Sequence, residues 1–158
     1  GQYPVEVIQK MSDIIKSVEN SELIHVPQKH PYIKTKRYIT KSICYHAAHM
    51  ANQINARGIS TLTNSGYTAF QISAWRPQAH ILVYSSNKRI IPQLNLLWGV
   101  RAFYYNKFVS TDQTLEDVNK MAVDKGYLEV GDMVIGLAAM PLESNGMVNT
   151  LRVTEISA

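Results

Sequence analysis

A three-layer α/β fold, with helices on both faces of a mixed and mostly parallel sheet of about five strands, is the fold class this sequence predicts. Three observations predict it. Short apolar runs alternate with helical stripes between Ile59 and Gly126, and a strand–helix–strand–helix–strand order implies a parallel sheet with helices on its faces. The tail changes character: Met133 to Ala138 and Thr150 to Ile156 are two apolar runs joined by a polar loop, the pattern of an antiparallel hairpin that would edge a mixed sheet. The chain has 158 residues, 46% apolar and 18% charged, which fits one domain with a substantial core and excludes the disordered class.

The elements follow in order. Pro4 suits a first helical turn, where its missing N–H costs nothing, and Ile8, Met11, Ile15 and Val18 recur at spacings of three and four, one apolar stripe. Residues 20–38, with Pro27 and Pro31, break that pattern and read as a connector. A longer helix comes next. Thr40 is its expected N-cap, Ile43, Ala47, Met50 and Ile54 its buried stripe, and Gly58 its stop. Ile59 to Thr63 reads as a short buried strand, followed by the turn Asn64-Ser65-Gly66 and a short helix from Tyr67 that Arg76-Pro77 ends. His80 to Tyr84 is a second strand. A helix over 88–97 contains Pro92, which blurs its start. Val100 to Tyr105 is a third strand, and Leu115, Val118, Met121 and Ala122 mark an amphipathic helix closed by Gly126. The sequence has neither an internal repeat nor a low-complexity tract.

Composition narrows function. The net charge is +4, much of it in Lys29, Lys34, Lys36, Arg37 and Lys41. That run lacks an RNA-recognition motif, a zinc-ligand pattern or interleaved aromatic residues, so it reads as a solvated connector and no nucleic-acid partner is expected. No stretch approaches the roughly 20 apolar residues that span a bilayer. No charged segment precedes an apolar run at the start, and the lone Cys44 cannot form an internal disulfide. A cytoplasmic location is the expectation. The chain begins at Gly1 rather than Met, as a processed or trimmed piece would.

Catalytic constellations are few. Cys44 and His46 would point about 200° apart on a helix, which does not make a nucleophile pair. His46 and His49 share a face but lack the further ligands a metal needs. Glu116 and Asp117 suit the start of a helix. The dinucleotide glycine fingerprint and the Walker loop are missing. The reading is therefore a chain with no catalytic residues and no metal site of its own. One stretch stands out: Thr63, Asn64, Ser65, Gly66, Tyr67 and Thr68 run from a strand through a hydroxyl-rich turn into a helix start. Free amides there, with several hydroxyls, form an anion cradle; the same residues would also serve as a plain helix cap, with Ser65 or Thr68 satisfying the first amides. Local sequence supports the two readings equally.

The same stretch carries a family resemblance. Thr63-Asn64-Ser65-Gly66-Tyr67-Thr68-Ala69, then Ile72-Ser73 and Trp75-Arg76-Pro77, closely resembles the phosphate loop and following helix of pyruvate kinase C-terminal domains. Gly1-Gln2-Tyr3-Pro4-Val5-Glu6 resembles the opening of the last helix of that enzyme's barrel domain. Trp98-Gly99-Val100, Lys125-Gly126, Gly131-Asp132 and Asn149-Thr150-Leu151-Arg152-Val153 fall in order where the family has similar pieces. The resemblance implies that residues 1–20 are the last barrel helix and connector, and residues 21–158 the C-terminal domain. It implies glycolytic phosphoryl transfer between phosphoenolpyruvate and ADP in the whole enzyme, with Mg²⁺ and K⁺, by residues that would lie upstream of Gly1. For this chain it implies allosteric regulation, a place in a homotetramer beside the barrel domain, and inactivity alone. The effector phosphate would bind at residues 63–68. Bisphosphate-activated relatives usually support this loop with a basic residue, with Trp and Arg before the last helix, and with a glycine-rich final loop. Here the corresponding positions are Tyr67, a segment 107–114 with neither Trp nor Arg, and a loop 141–147 holding only Gly146 and also Glu143. A sugar monophosphate or nucleotide monophosphate is the expected effector, or none. The other reading is a free-standing phosphate-binding protein on the same fold, which an initiator methionine just upstream would favour.

Overall fold

The computed structural model describes residues 1–19, 21, 35–107, 110–140 and 147–157. In chain order these form α1 (Pro4–Glu19), α2 (Tyr38–Gln53), β1 (Gly58–Leu62), α3 (Tyr67–Ala74) and β2 (His80–Ser85). Then come α4 (Ile91–Leu94), β3 (Val100–Tyr104), α5 (Thr111–Asp124), β4 (Met133–Ala138) and β5 (Thr150–Glu155). The strands make one sheet in the order β3-β2-β1-β4-β5. All neighbours are parallel except β4 and β5, which pair antiparallel with Ile135 opposite Val153. The predicted α/β fold, with its mixed sheet and antiparallel terminal pair, is the fold observed.

Side chains alternate across the sheet and build two cores. Ile59, Ile81, Val83, Ile135 and Leu137 pack with Cys44, Ala47, Ala51, Ala69, Ile72 and Leu94, so α2, α3 and α4 cover one face. Leu82, Tyr84 and Val134 pack with Val118 and Ala122 of α5 on the other. Those are the three layers.

Several local expectations shift. The buried face of α2 is Thr40, Cys44, Ala47, Ala48 and Ala51, whereas Ile43 and Met50 flank it and Ile54 is exposed. Small residues let the helix axis approach the sheet, so the larger side chains move to the sides. Thr40 is not the cap: the helix begins at Tyr38, and the Thr40 hydroxyl donates to the Val148 carbonyl at 3.0 Å. Gly58 does not stop the helix either. Asn55 makes the left-handed exit at φ +52°, as asparagine tolerates, and Gly58 opens β1. α4 is shorter than the 88–97 pattern because Pro92 fixes its first turn.

α1 stands apart. None of its residues is buried, and Ile8, Met11, Ile15 and Val18 all lie more than half exposed. Its C-terminal end is tied down by Glu19, whose carboxylate accepts from the Trp98 indole N–H at 2.8 Å. Without buried contacts a helix of this length is marginal in water. Hydrogen exchange on monomeric chain should therefore find residues 3–18 the least protected helix. Protection there equal to that of α2 would show that α1 is part of this domain's cooperative unit.

Candidate functional site

The connectivity selects one end of the sheet. β1, β2 and β3 are laid outward in one direction, after which the chain crosses the opposite face through α5 and returns to the other side of β1. Strand order thus reverses between β1 and β4. In open α/β sheets ligands occupy the crevice at the carboxyl ends of the strands at such a reversal. Residues 63–66 leave the carboxyl end of β1 at that point.

The loop is built from its own hydrogen bonds. Thr63 N donates to the Tyr84 carbonyl at 3.0 Å, continuing the ladder one residue past β1. Gly66 N then donates to the Thr63 hydroxyl oxygen at 3.0 Å. That oxygen still carries its own hydrogen, which remains available to an anion. Gly66 turns the chain into α3 at φ +77°, in the left-handed region, and no side chain caps the helix. Tyr67 N reaches the Ser65 hydroxyl only at 3.5 Å, the weak limit of a hydrogen bond. Phe70 N donates to Gly66 O at 3.1 Å, so the amides before it, at Thr68 and Ala69, belong to the unsatisfied first turn.

The six predicted residues are brought together, in different roles. Ser65 is exposed and Thr68 is buried beside it. Asn64 serves the scaffold. Its side-chain carbonyl accepts from the Ser86 hydroxyl at 3.2 Å, and its backbone carbonyl accepts from the Asn87 amide at 3.4 Å, clamping the loop after β1 to the loop after β2.

One neighbour was not legible locally. The guanidinium of Arg37 lies 4.2 Å from the Tyr67 ring centroid, a cation–π contact that brings positive charge to the N-terminus of α3. Arg37 belongs to the basic run read above as a solvated connector. No local signal links it to Tyr67, since only the packing of α2 beside α3 brings the two together. The final loop and the segment before α5 bear on a second phosphate, but residues 141–146 and Phe108 and Val109 lie outside the described residues, as does most of the 20–38 connector.

Other candidates read as structure. Burial pushes the Cys44 thiol up to about 12, which keeps it protonated. His46 and His49 pack edge-on against the Tyr45 ring, with centroids 5.1 and 4.3 Å away. Among the described residues no group of three or more His, Cys, Asp or Glu side chains could hold a metal ion. No helix there is long and apolar enough to cross a membrane.

Comparison with known proteins agrees with this architecture. Residues 41–154 match the family model of the pyruvate kinase alpha/beta domain. Pyruvate kinase of Lactococcus lactis is 31% identical, covering 99% of this chain and 31% of its own length. That of Bacillus licheniformis is 31% identical over 97% of this chain and 26% of its length, and that of Geobacillus stearothermophilus 30% over 99% and 27%. A crystal structure of a pyruvate kinase from Cryptosporidium parvum superposes with a TM-score of 0.69 at 22% identity, over 79% of this chain and 23% of that one; it shows the same fold. The chain spans between a quarter and a third of the length of these bacterial relatives. With the family model matched from the first turn of α2, through the loop that leaves β1, to Thr154 in β5, this chain belongs to the pyruvate kinase family, of which it carries the α/β domain.

Proposed function

We propose that this chain is the regulatory and assembly domain of a pyruvate kinase, and that it holds one phosphate group of an effector at residues 63–68. The observation that carries the reading is the position of the loop: an α-helix N-terminus without a side-chain cap, at the carboxyl end of β1, where strand order reverses. The hydroxyls of Thr63, Ser65 and Thr68 and the first amides of α3 would surround the anion. In the whole enzyme, phosphoryl transfer between phosphoenolpyruvate and ADP belongs to the barrel domain, with residues 1–20 as its last helix. The stripe of α1 would then pack on the barrel, and the assembly would be a cytoplasmic homotetramer acting in glycolysis. The Mg²⁺ and K⁺ of that reaction would be held by the barrel.

Catalysis is expected to be missing from the chain alone. Phosphoryl transfer depends on metal ions and cations positioned around the phosphates. Purified chain should form no pyruvate from phosphoenolpyruvate and ADP in a coupled assay. Turnover that survives repurification and scales with the chain would refute the assignment.

Affinity for phosphate is expected to be modest. Hydrogen bonds to a charged partner contribute about 1.5–3 kcal/mol each and the helix terminus about 0.3–1 kcal/mol, opposed by ordering and desolvation. A dissociation constant of about 1 μM to 1 mM follows. Arg37, exposed to solvent, adds up to about 1 kcal/mol, so Arg37→Gln should weaken binding by at most about fivefold. Calorimetry with ribose 5-phosphate, glucose 6-phosphate, AMP and fructose 1,6-bisphosphate tests the reading. The monophosphates should bind about as well as the bisphosphate, and Ser65→Asp, which puts a negative charge in the cradle, should abolish binding. Equal binding by Ser65→Asp would leave the loop as a helix cap, and a far tighter bisphosphate would point to cations beyond this loop.

A further inference from the structure

The C-terminal end of α3 grips Trp98, two residues before β3. The Ser73 hydroxyl donates to the Trp98 carbonyl at 2.8 Å, and Ser73 is buried in the last turn of α3. The Arg76 guanidinium lies 5.2 Å from the Trp98 ring centroid, within cation–π range. Arg76 takes φ +49°, a left-handed conformation that a residue other than glycine keeps only where its surroundings impose it. The same indole also holds α1. Its N–H donates to the Glu19 carboxylate at 2.8 Å, and Glu19 is the last residue of that helix. The backbone beside the ring is anchored, since the Gly99 carbonyl accepts from Ile81 N at 3.0 Å.

Neither helix is secure by itself. α3 has eight residues and an N-terminus without a side-chain cap, and α1 buries none of its residues. Helices so short or so exposed depend on the few contacts they make. An anion at the first amides of α3 supplies the missing cap. An ordered α3 then keeps Ser73 and Arg76 on Trp98, about 12 Å from the cradle at 1.5 Å per helical residue. A guanidinium over the ring face draws on the electrons of the indole, which makes its N–H the stronger donor to Glu19.

We propose that Trp98 couples the two helices: phosphate at residues 63–68 orders α3, Ser73 and Arg76 pass that order to Trp98, and Trp98 fastens α1 to the domain through Glu19. The coupling rests on the effector assignment above for its ligand, whereas the link between the helices stands on these contacts. Coupling is reciprocal, so α1 held on Trp98 tightens phosphate binding by the same factor. Charge alone predicts the opposite sign. Removing the Glu19 carboxylate would favour an anion electrostatically, whereas loss of the coupling would weaken its binding.

The test uses the 158-residue chain, with hydrogen exchange, the Trp98 indole N–H resonance and calorimetry with inorganic phosphate. Trp98→Phe assigns that resonance by deleting it. At about 20 mM phosphate the indole resonance should shift, and residues 3–18 should gain at least about threefold protection. Glu19→Ala should bind phosphate at least about threefold more weakly, and Trp98→Phe, which keeps a ring but loses the N–H, should do the same. Glu19 sits on a helix that buries nothing, so its replacement leaves the core intact. Without ligand, Glu19→Ala should lower the protection of amides 70–74 by at least about threefold. The proposal fails if phosphate binds while the protection of α1 stays unchanged. It fails equally if Glu19→Ala binds phosphate as tightly as the parent or more tightly. A parent chain that binds no phosphate would instead refute the effector assignment. The link between the helices is then decided without ligand: unchanged protection of 70–74 in Glu19→Ala overturns it, and the threefold loss upholds it.

Discussion

Gly66→Ala is expected to destabilise the domain by about 2–5 kcal/mol and to weaken phosphate binding with it. Gly66 sits at φ +77°, where an L side chain costs about 1–2 kcal/mol. A Cβ built there falls 2.7 Å from Leu94 Cδ2, closer than any van der Waals contact permits. Leu94 is only 1% exposed and belongs to the core under α3 and α4, so its methyl moves only by disturbing that packing, at about 1–3 kcal/mol. Relaxation would have to come from the turn, and the turn sets where the first amides of α3 point. Denaturant unfolding should show a lower midpoint with an unchanged slope. Calorimetry below the unfolding temperature should show phosphate affinity at least about tenfold lower. A loss under about 1 kcal/mol with binding intact would mean that the turn and Leu94 adjust freely, and the cradle would then owe nothing to Gly66.

Much of this was legible in the residues, and the exceptions have physical causes. β2 was visible because His80 to Tyr84 is a short apolar run bounded by turn residues, and such runs are distinctive when both faces of a strand are buried. The buried face of α2 was misplaced because large apolar residues dominate a helical pattern, whereas the sheet selected Cys44, Ala47, Ala48 and Ala51, which permit closer approach. Thr40 looks like a cap from its neighbours alone. Its actual partner, Val148 O, lies near the other end of the chain. The same limit applies to the candidate site. Its hydroxyls and helix start lie within six consecutive residues and could be read directly. The clamp from Ser86 and Asn87 onto Asn64 and the Arg37 guanidinium over Tyr67 are products of tertiary packing. The reversal of strand order between β1 and β4 depends on which strands pair, which residue types do not specify.

Ile135→Ala should cost about 2–5 kcal/mol, a large part of the roughly 5–15 kcal/mol that holds a domain of this size together. Ile135 is fully buried in β4, opposite Ile59 of β1 on one side and Val153 of β5 on the other. Its side chain lies in the core that α2 covers with small residues. Alanine and cysteine side chains are too short to fill the space that three lost carbons would leave, so the cavity should persist and the cost should fall in the upper half of that range. Val153→Ala is the control. Val153 is 39% exposed on the edge strand, and its loss should cost about 1 kcal/mol or less. Ile59→Ala should couple to Ile135→Ala by more than about 0.5 kcal/mol, because the two removed side chains share one cavity. Residues 63–68 are held by β1, α3 and the β2 loop, so folded Ile135→Ala should keep its phosphate affinity within about twofold. The measurements are urea unfolding of the three single variants, the Ile59–Ile135 pair and the parent, with calorimetry on the folded proteins. A cost below about 1 kcal/mol would mean that α2 closes onto the sheet when the side chain is removed. Phosphate binding that falls in step with stability would place β4, rather than β1 and α3 alone, among the supports of the cradle.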